Sequence, residues 1–90
     1  MILDKTITFP AYVMFQEFDS EAILLDIRTQ EHFGLDAISN LFLKSIQEGS
    51  SIEIASSIIL EEYDVEPEQL YADLQKLINT LLEHELIEIS

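Results

Sequence analysis

The chain has 90 residues, 18 of them acidic and 4 basic, so its formal net charge is −14. Its four basic residues are scattered, which excludes the cluster needed to bind nucleic-acid phosphates or an anionic membrane: Lys5, Arg28, Lys44 and Lys76. The absence of cysteine excludes disulfides and thiolate metal sites.

The hydrophobic share of 48% predicts one modest core, and we expect a single domain over residues 1–90. The start of the chain lacks a signal-peptide pattern, and no apolar run approaches the roughly 20 residues of a membrane span. We therefore expect a cytoplasmic protein. Its acidic surface serves either solubility or the attraction of a basic partner.

The first part of the chain predicts an N-terminal arm and a three-stranded antiparallel sheet. The arm covers residues 1–10, of which 7–9 suit a short edge strand. Aromatic and β-branched residues predict a strand over 12–18. Residues 22–27 are nearly continuously apolar, as in a central strand that is covered on both faces. Residues 31–35 predict the third strand of the sheet.

The rest of the chain predicts three helices. Asp36 is suited to cap the first helix, and Gly49 to end it in the left-handed conformation. A capping box from Ser50 to Glu53 predicts the start of the second helix, and Pro67 suits the first turn of the third. Together these elements predict an α+β winged helix-turn-helix fold, in which the hairpin takes the place of the wing.

Helical spacing predicts which residues the second and third helices bury. For the second helix these are Ile54, Ala55, Ile58, Ile59 and Tyr63. For the third helix they form a stripe of Leu70, Leu74, Leu77 and Leu81, flanked by Tyr71, Ile78 and Leu82. The last residues, 86–89, read as a short extended tail.

No pattern of catalytic residues is recognisable. His32 and His84 stand alone on different elements, so we expect an exposed strand position and a last helical turn rather than a metal or general-base site. The acidic pairs fit a solvated surface better than a glycosidase-like cleft. Two glycines exclude a glycine-rich phosphate loop. We expect no enzyme activity, no cofactor and no metal.

The third predicted strand is short and ends the sheet, so one of its edges exposes unpaired N–H and C=O groups. An extended peptide can pair with such an edge and place alternate side chains in a neighbouring groove. Tyr71, Leu74 and Ile78 suit the wall of that groove, or else they are ordinary core residues. Gly34 either lets a strand approach closely or marks a bulge.

Four segments in this order resemble the PqqD-like proteins, which are recognition elements for ribosomally synthesised, post-translationally modified peptides. The first, at 22–36, reads Ala-Ile-Leu-Leu-Asp-Ile-Arg-Thr-Gln-Glu-His-Phe-Gly-Leu-Asp. The others are Ile-Gln-Glu-Gly-Ser-Ser-Ile-Glu-Ile at 46–54, Glu-Tyr-Asp-Val at 62–65, and the leucines of 74–81 followed by Leu86-Ile87. The likeness spans about residues 12–89 and is strongest to the stand-alone members of lasso peptide biosynthesis.

The resemblance implies a peptide-binding domain that holds the leader segment of a precursor peptide as an added strand. The leader would pair with the third strand and lie against the third helix. In the lasso branch it is then presented to a cysteine-type leader peptidase and an ATP-dependent cyclase. Carried onto this chain, the site comprises the edge residues Glu31, His32, Phe33 and Gly34, the groove residues Tyr71, Leu74, Gln75 and Ile78, and the flanking residues Asp26 and Arg28.

Two positions depart from the family pattern, since Gln30 and Glu85 stand where these proteins usually carry glycine. Two other interpretations stay open. One is a generic acidic winged-helix domain that binds another protein. The other is a carrier protein, because Asp19-Ser20-Glu21 resembles the phosphopantetheine-attachment triplet of acyl carrier proteins; a carrier would need Ser20 at the start of a helix.

Overall fold

The computed structural model describes residues 2–19 and 21–90. A 3₁₀ turn at Ile2–Asp4 is followed by five strands and three helices, which short turns connect. In chain order these elements are β1 (Ile7–Thr8), β2 (Val13–Phe18), β3 (Glu21–Asp26), β4 (Glu31–Leu35), α1 (Ala37–Gln47), α2 (Ile52–Glu62), α3 (Pro67–Glu83) and β5 (Glu88–Ile89).

Strands β2, β3 and β4 form the predicted antiparallel sheet, with β3 in the centre. Phe15 lies opposite Leu24, which in turn lies opposite Phe33. This row belongs to the inner face of the sheet, which packs against the helices around fully buried Leu24 and Phe42. The three helices follow the sheet as predicted, and the arrangement is that of a winged helix. Ser20, on which the carrier-protein interpretation depends, lies outside the described residues.

The expectation that the central strand is covered on both faces is wrong. Along β3 the residues of the inner face are buried, whereas Ile23 and Leu25 are half-buried. Because side chains alternate along a strand, the register assigns eight residues to the other face. We call this the outer face; it consists of Met14, Gln16, Phe18, Glu21, Ile23, Leu25, His32 and Gly34.

The N-terminal arm is joined to the C-terminal tail in a second, two-stranded sheet. Strand β1 pairs with β5 in antiparallel register, and not with the edge of the larger sheet. Two backbone hydrogen bonds continue this pairing between Thr6 and Ser90, at N···O distances of 3.0 and 3.1 Å. Ile7 is buried in the core, so the arm and the tail close one side of the hydrophobic core together.

The ends of α1 follow the prediction, whereas the start of α2 does not. The Asp36 carboxylate accepts the Ser39 N–H, and Gly49 takes a φ of +102° after the last turn. The N-cap of α2 is Ser51, whose hydroxyl accepts the Ile54 N–H at 3.1 Å. The predicted capping box from Ser50 is therefore wrong, because the Ser50 N–H already closes the end of α1 on the Ser45 carbonyl.

The buried faces of α2 and α3 are each rotated from the predicted ones. In α2 the buried residues are Ile52, Ala55, Ser56 and Ile59, while Ile54 is 55% exposed and Tyr63 is 36% exposed. Ser56 tolerates burial because its hydroxyl donates to the Ile52 carbonyl at 2.8 Å. In α3 the buried residues are Leu70, Leu74, Ile78 and Leu81, so Ile78 takes the core position predicted for Leu77. No helix in residues 2–19 and 21–90 has the length and apolarity to cross a membrane.

The turn that ends α3 has the hydrogen bonds of a Schellman motif. The Leu86 N–H donates to the Leu81 carbonyl at 2.8 Å, and the Glu85 N–H donates to the Leu82 carbonyl at 3.1 Å. This geometry requires a positive φ at Glu85, where it is +59°. Gln30, in the turn between β3 and β4, has a φ of +64°. At both positions where the family usually carries glycine, this chain therefore holds a residue with a side chain in the left-handed conformation.

Replacing Glu85 with glycine is expected to stabilise the fold by about 0.5–1 kcal/mol. The left-handed conformation costs a residue with a Cβ roughly 1–2 kcal/mol, and the greater backbone entropy of glycine offsets part of that gain. Urea unfolding of Glu85→Gly would measure it. The matched control is Glu83→Gly, which removes the same charge from the last helical turn and should destabilise by about 1 kcal/mol. Equal effects of the two substitutions would contradict a conformational origin.

Candidate functional site

Strand β4 presents a free edge beside α3. The sheet ends at β4, and no strand of the described chain pairs with its outer side. Strand β2 is the other edge, but no residue of β2 lines either of the two clefts described below. The β4 edge is therefore the one where unpaired backbone groups adjoin a concave surface.

Two clefts mark the ends of this concave surface. The hairpin cleft is lined by residues of the β3–β4 turn, the start of β4 and His84 at the end of α3. The helix cleft is lined by Asp36, which follows β4, by the start of α1, by Val65 and by α3 from Gln69 to Leu77. The start of β4 is therefore near the end of α3 and the end of β4 is near its first half, so the strand and the helix run in roughly opposite directions. We call the surface between the two clefts the groove.

The helix cleft has an apolar floor and an acidic rim. Its volume is about 290 Å³, which is room for a large side chain. Its lining residues are Asp36, Ile38, Ser39, Val65, Gln69, Leu70, Asp73, Leu74 and Leu77. The Gln69 amide donates to one carboxylate oxygen of Asp73 at 2.9 Å. No lysine or arginine lines the cleft, so a bound group meets hydrocarbon below and carboxylates at the edge.

The hairpin cleft is smaller, about 60 Å³, and combines aromatic rings with polar groups. It is lined by Asp26, Thr29, Glu31, His32, Phe33, His84 and Leu86. The rings of Phe33 and His84 lie 6.2 Å apart at 50°, which joins β4 to the end of α3. Both histidines are exposed, at the strand position and helix end predicted for them. Within residues 2–19 and 21–90 no three acidic or histidine side chains are grouped to hold a metal ion.

A set of polar contacts, the hairpin staple, fixes the β3–β4 turn against the end of α3. Asp26 is only 3% exposed and accepts two side-chain hydrogen bonds from Arg28, at 2.9 and 3.2 Å. The Arg28 guanidinium lies over the Tyr12 ring, 3.6 Å from its centroid. The Tyr12 hydroxyl donates to the Glu85 carbonyl at 2.9 Å. The staple thus positions the turn from which the β4 edge begins.

The staple makes stability depend on pH through Asp26. Its hydrogen bonds from Arg28 lower the pKa of Asp26 below the ordinary value of 3.8, against an opposing effect of burial. A lowered folded pKa contributes stability above the unfolded pKa, and that stability is lost as the pH falls through the folded value. Wild type should therefore melt at a higher temperature than Asp26→Asn at pH 7, and the difference should shrink below about pH 4. A difference that stays constant from pH 7 to pH 2.5 would contradict this origin.

The structure brings together five of the ten residues that the sequence assigned to the site. Asp26, Glu31, His32 and Phe33 line the hairpin cleft, and Leu74 lines the helix cleft. Arg28 belongs to the hairpin staple, and Gly34 lies on the outer face of β4. The remaining three are placed elsewhere: Tyr71 and Gln75 line neither cleft, and Ile78 is fully buried.

The helix cleft lies along a flank of α3 other than the one that carries Tyr71 and Gln75. Gln69, Asp73 and Leu77 follow one another at four-residue spacing and all line the helix cleft. At 100° per residue this flank is separated from that of Tyr71 and Gln75 by the buried stripe of the helix. Both flanks mix polar and apolar residues, so periodicity had no means of choosing between them.

Comparison with known proteins gives a consistent result. The family model of coenzyme PQQ synthesis protein D (PqqD) matches residues 21–87. A solved structure described as TbiB1 in complex with the TbiA(beta) leader peptide is similar to this chain, with 30% identity and a TM-score of 0.82, over 89% of this chain and 93% of that one. No curated protein sequence matches the chain.

A second solved structure, described as lasso peptide synthetase B1 complexed with the leader peptide, has the same fold. Its TM-score is 0.81 over 91% of this chain and 96% of that one, at 22% identity. The family match covers most of the chain, including β3, β4 and the three helices. This chain therefore belongs to the PqqD family and is a PqqD-like recognition element for ribosomally made, modified peptides.

Proposed function

We propose that this protein binds the leader segment of a ribosomally made precursor peptide as an added strand on β4, in lasso peptide biosynthesis. The observation that carries the proposal is the free β4 edge beside α3, with a cleft at each end of the groove between them. TbiB1, which is 30% identical over most of the chain, was solved with a leader peptide. Strand addition supplies affinity through main-chain hydrogen bonds and specificity through alternate side chains.

The distance between the clefts sets the spacing of the leader's anchors. Along α3, eleven residues separate the middle of the helix cleft at Asp73 from His84, which is roughly 16 Å at 1.5 Å per residue. An extended peptide covers that distance in about five residues at 3.3 Å each. Two anchors on the same face must be an even number apart, so we expect apolar leader side chains four or six positions apart.

The acidic rim predicts basic residues in the leader and a binding affinity that depends on salt. Asp36 and Asp73 line the helix cleft without a basic neighbour there, and the chain carries a charge of −14. Exposed ion pairs are weakened by salt because the screening length falls from roughly 10 Å at 0.1 M to 3 Å at 1 M. Raising NaCl from 50 to 500 mM should weaken leader binding about three- to tenfold. Asp73→Asn should reduce this dependence; an affinity unaffected by salt would show that the acidic surface serves solubility.

In this proposal the protein is a non-catalytic adaptor of a single domain. It holds the precursor in the cytoplasm, where ribosomes release it, and delivers it to a cysteine-type leader peptidase and an ATP-dependent cyclase. Both the similarity to TbiB1 and the chemistry of the site support this role. The β4 edge offers unpaired amides, and the clefts offer hydrocarbon and carboxylates, which suit an extended peptide.

The direct test is a fluorescence-anisotropy titration with leader segments of precursor peptides encoded beside this protein. Saturable binding in the nanomolar to micromolar range is expected, after the cost of ordering the peptide. The strand itself is tested with two N-methylated versions of the same leader, methylated at alternate amides in one register or the other. An added strand bonds to β4 through every second residue only.

One methylated register should therefore abolish binding while the other is tolerated. Equal loss in both registers, or in neither, would contradict strand addition and leave only groove binding. If no neighbouring leader binds, the protein is a more general acidic interaction domain, and the proposed function fails.

A further inference from the structure

Strand β2 forms the second open edge of the sheet, and its register shows which of its backbone groups are open. The Ile27 N–H donates to the Tyr12 carbonyl at 2.9 Å, so these opposite residues form a hydrogen-bonded pair. Such pairs alternate with non-bonded pairs along antiparallel strands. The even-numbered residues of β2 therefore bond to β3, and the odd-numbered ones turn their backbone groups to the open side. Beyond the first residue of β2, the open groups are those of Phe15 and Glu17.

In other respects β2 is well matched to pair with a second copy of itself. In an antiparallel pair centred on Gln16, Phe15 of each copy would exchange backbone hydrogen bonds with Glu17 of the other. The same register would bring the exposed Met14 of each copy beside the exposed Phe18 of the other. Edge strands that carry exposed apolar side chains are the usual sites of unwanted pairing between chains.

Glu17 is the residue of β2 that opposes such pairing. It belongs to the inner face of the sheet, opposite buried Ala22, and its carboxylate is held by helix α1. One carboxylate oxygen accepts the Asn40 amide at 2.9 Å, and the other accepts the Lys44 ammonium at 3.4 Å. Hydrogen bonds from Asn40 and then Lys44 lower the pKa of Glu17, so the carboxylate is charged at neutral pH.

This ion pair keeps its contact with water only while the β2 edge is open. The side chains of Glu17 and Lys44 are 37% and 48% exposed. A strand added beside β2 would lie about 5 Å away and bond to Glu17 itself, so it would cover the pair. Covering two charges costs free energy that their mutual attraction often fails to return. In the middle of β4 the inner-face residue is Phe33, so a strand added there covers an aromatic ring instead.

We propose that Glu17, held by Asn40 and Lys44, closes the β2 edge to strand addition. Two copies of the chain are thereby kept from pairing through β2, and an extended peptide is directed to β4. The second consequence rests on the proposed leader binding, whereas the first does not. Glu17 thus determines which edge of the sheet is used, without contacting the leader.

The test compares the mass in solution of wild type, Glu17→Val and Glu61→Val by sedimentation equilibrium. Valine suits a strand position, and Glu61→Val makes the same change at an exposed residue of α2. Because a contact of a few residues is weak, the chains are compared at about 200 μM. We expect wild type and Glu61→Val to be monomers and at least half of the Glu17→Val chains to be dimers. Glu17→Thr takes the place of Glu17→Val should that variant precipitate.

Glu17→Val chains that stay monomeric with a native circular dichroism spectrum would overturn the inference, as would wild-type chains that pair equally. A second substitution shows whether the dimer forms through β2. Gln16 would lie opposite its own copy, so Gln16→Lys in the Glu17→Val background should weaken the dimer at least tenfold by placing like charges together. Gln47→Lys, exposed at the end of α1, should weaken it less than threefold. Equal effects of the two lysines would overturn pairing through β2.

The number of leaders bound tests the second consequence. Wild type should bind one leader per chain at saturation, as measured by isothermal titration calorimetry. A second leader bound to each chain would overturn the closure of β2. A leader that does not bind wild type at all defeats the proposed function instead, and the sedimentation result is independent of that outcome.

Discussion

Truncation of Leu77 to alanine is expected to weaken leader binding about 10- to 30-fold. Leu77 is half-buried in the free protein and lines the helix cleft, so part of its side chain is available to a bound peptide. Removing three carbons at about 0.8 kcal/mol per buried methylene costs roughly 1.5–2 kcal/mol of binding free energy when the peptide covers most of them. Anisotropy titration of the variant with the cognate leader measures the effect.

Leu82 provides the matched control for Leu77, because it is 39% exposed on the same helix and lines neither cleft. Leu82→Ala should bind the leader as wild type does. Tyr71→Ala decides which flank of α3 the leader uses, since Tyr71 lies on the flank away from both clefts. A large loss in Tyr71→Ala together with normal binding by Leu77→Ala would move the groove to that flank.

Replacing Phe42 with alanine is expected to destabilise the protein by about 3–5 kcal/mol. Phe42 is fully buried in α1, within the cluster that joins the sheet to the helices. Its truncation removes apolar burial and leaves a cavity that the surrounding side chains fill only in part. A domain of 90 residues has a total stability of roughly 5–13 kcal/mol, so the variant should lose a large fraction of it. Urea unfolding followed by circular dichroism measures the free energy of unfolding.

Phe18→Ala is the control for Phe42→Ala, because it makes the same chemical change at a residue that is 57% exposed. Its effect on the free energy of unfolding should stay below about 1 kcal/mol. Similar losses in the two variants would show that the outer face contributes to the fold as the core does.

The order and type of the elements could be predicted because each depends on interactions between near neighbours in the chain. Short runs of apolar, aromatic and β-branched residues predicted the three strands of the sheet, and Asp36 and Gly49 predicted the two ends of α1. The start of α2 was misplaced by one residue because Ser50 and Ser51 are equally good caps. The choice between them depends on how the preceding helix ends.

The same distinction between local and long-range interactions applies to the candidate site. The free edge of β4 could be predicted from the sequence because a short last strand has a free edge wherever the helices lie. The flank of α3 that lines the helix cleft could not, since it depends on how α3 packs. Burial of Ile78 instead of Leu77 turns Asp73 and Leu77 toward the groove and Tyr71 and Gln75 away from it.

By itself, the sequence determined the family, the fold class, the strong negative charge and the edge strand on which the proposed function depends. The fold class, the charge and the edge strand follow from composition and periodicity, which act over a few residues, and the family follows from the resemblance of four segments in order. The tertiary structure alone decided three features: the cleft flank of α3, the pairing of β1 with β5, and the exposure of the outer face. Each depends on contacts between residues far apart in the chain. An apolar stripe in the sequence predicts that one face of an element is buried, but it does not identify the element that covers this face.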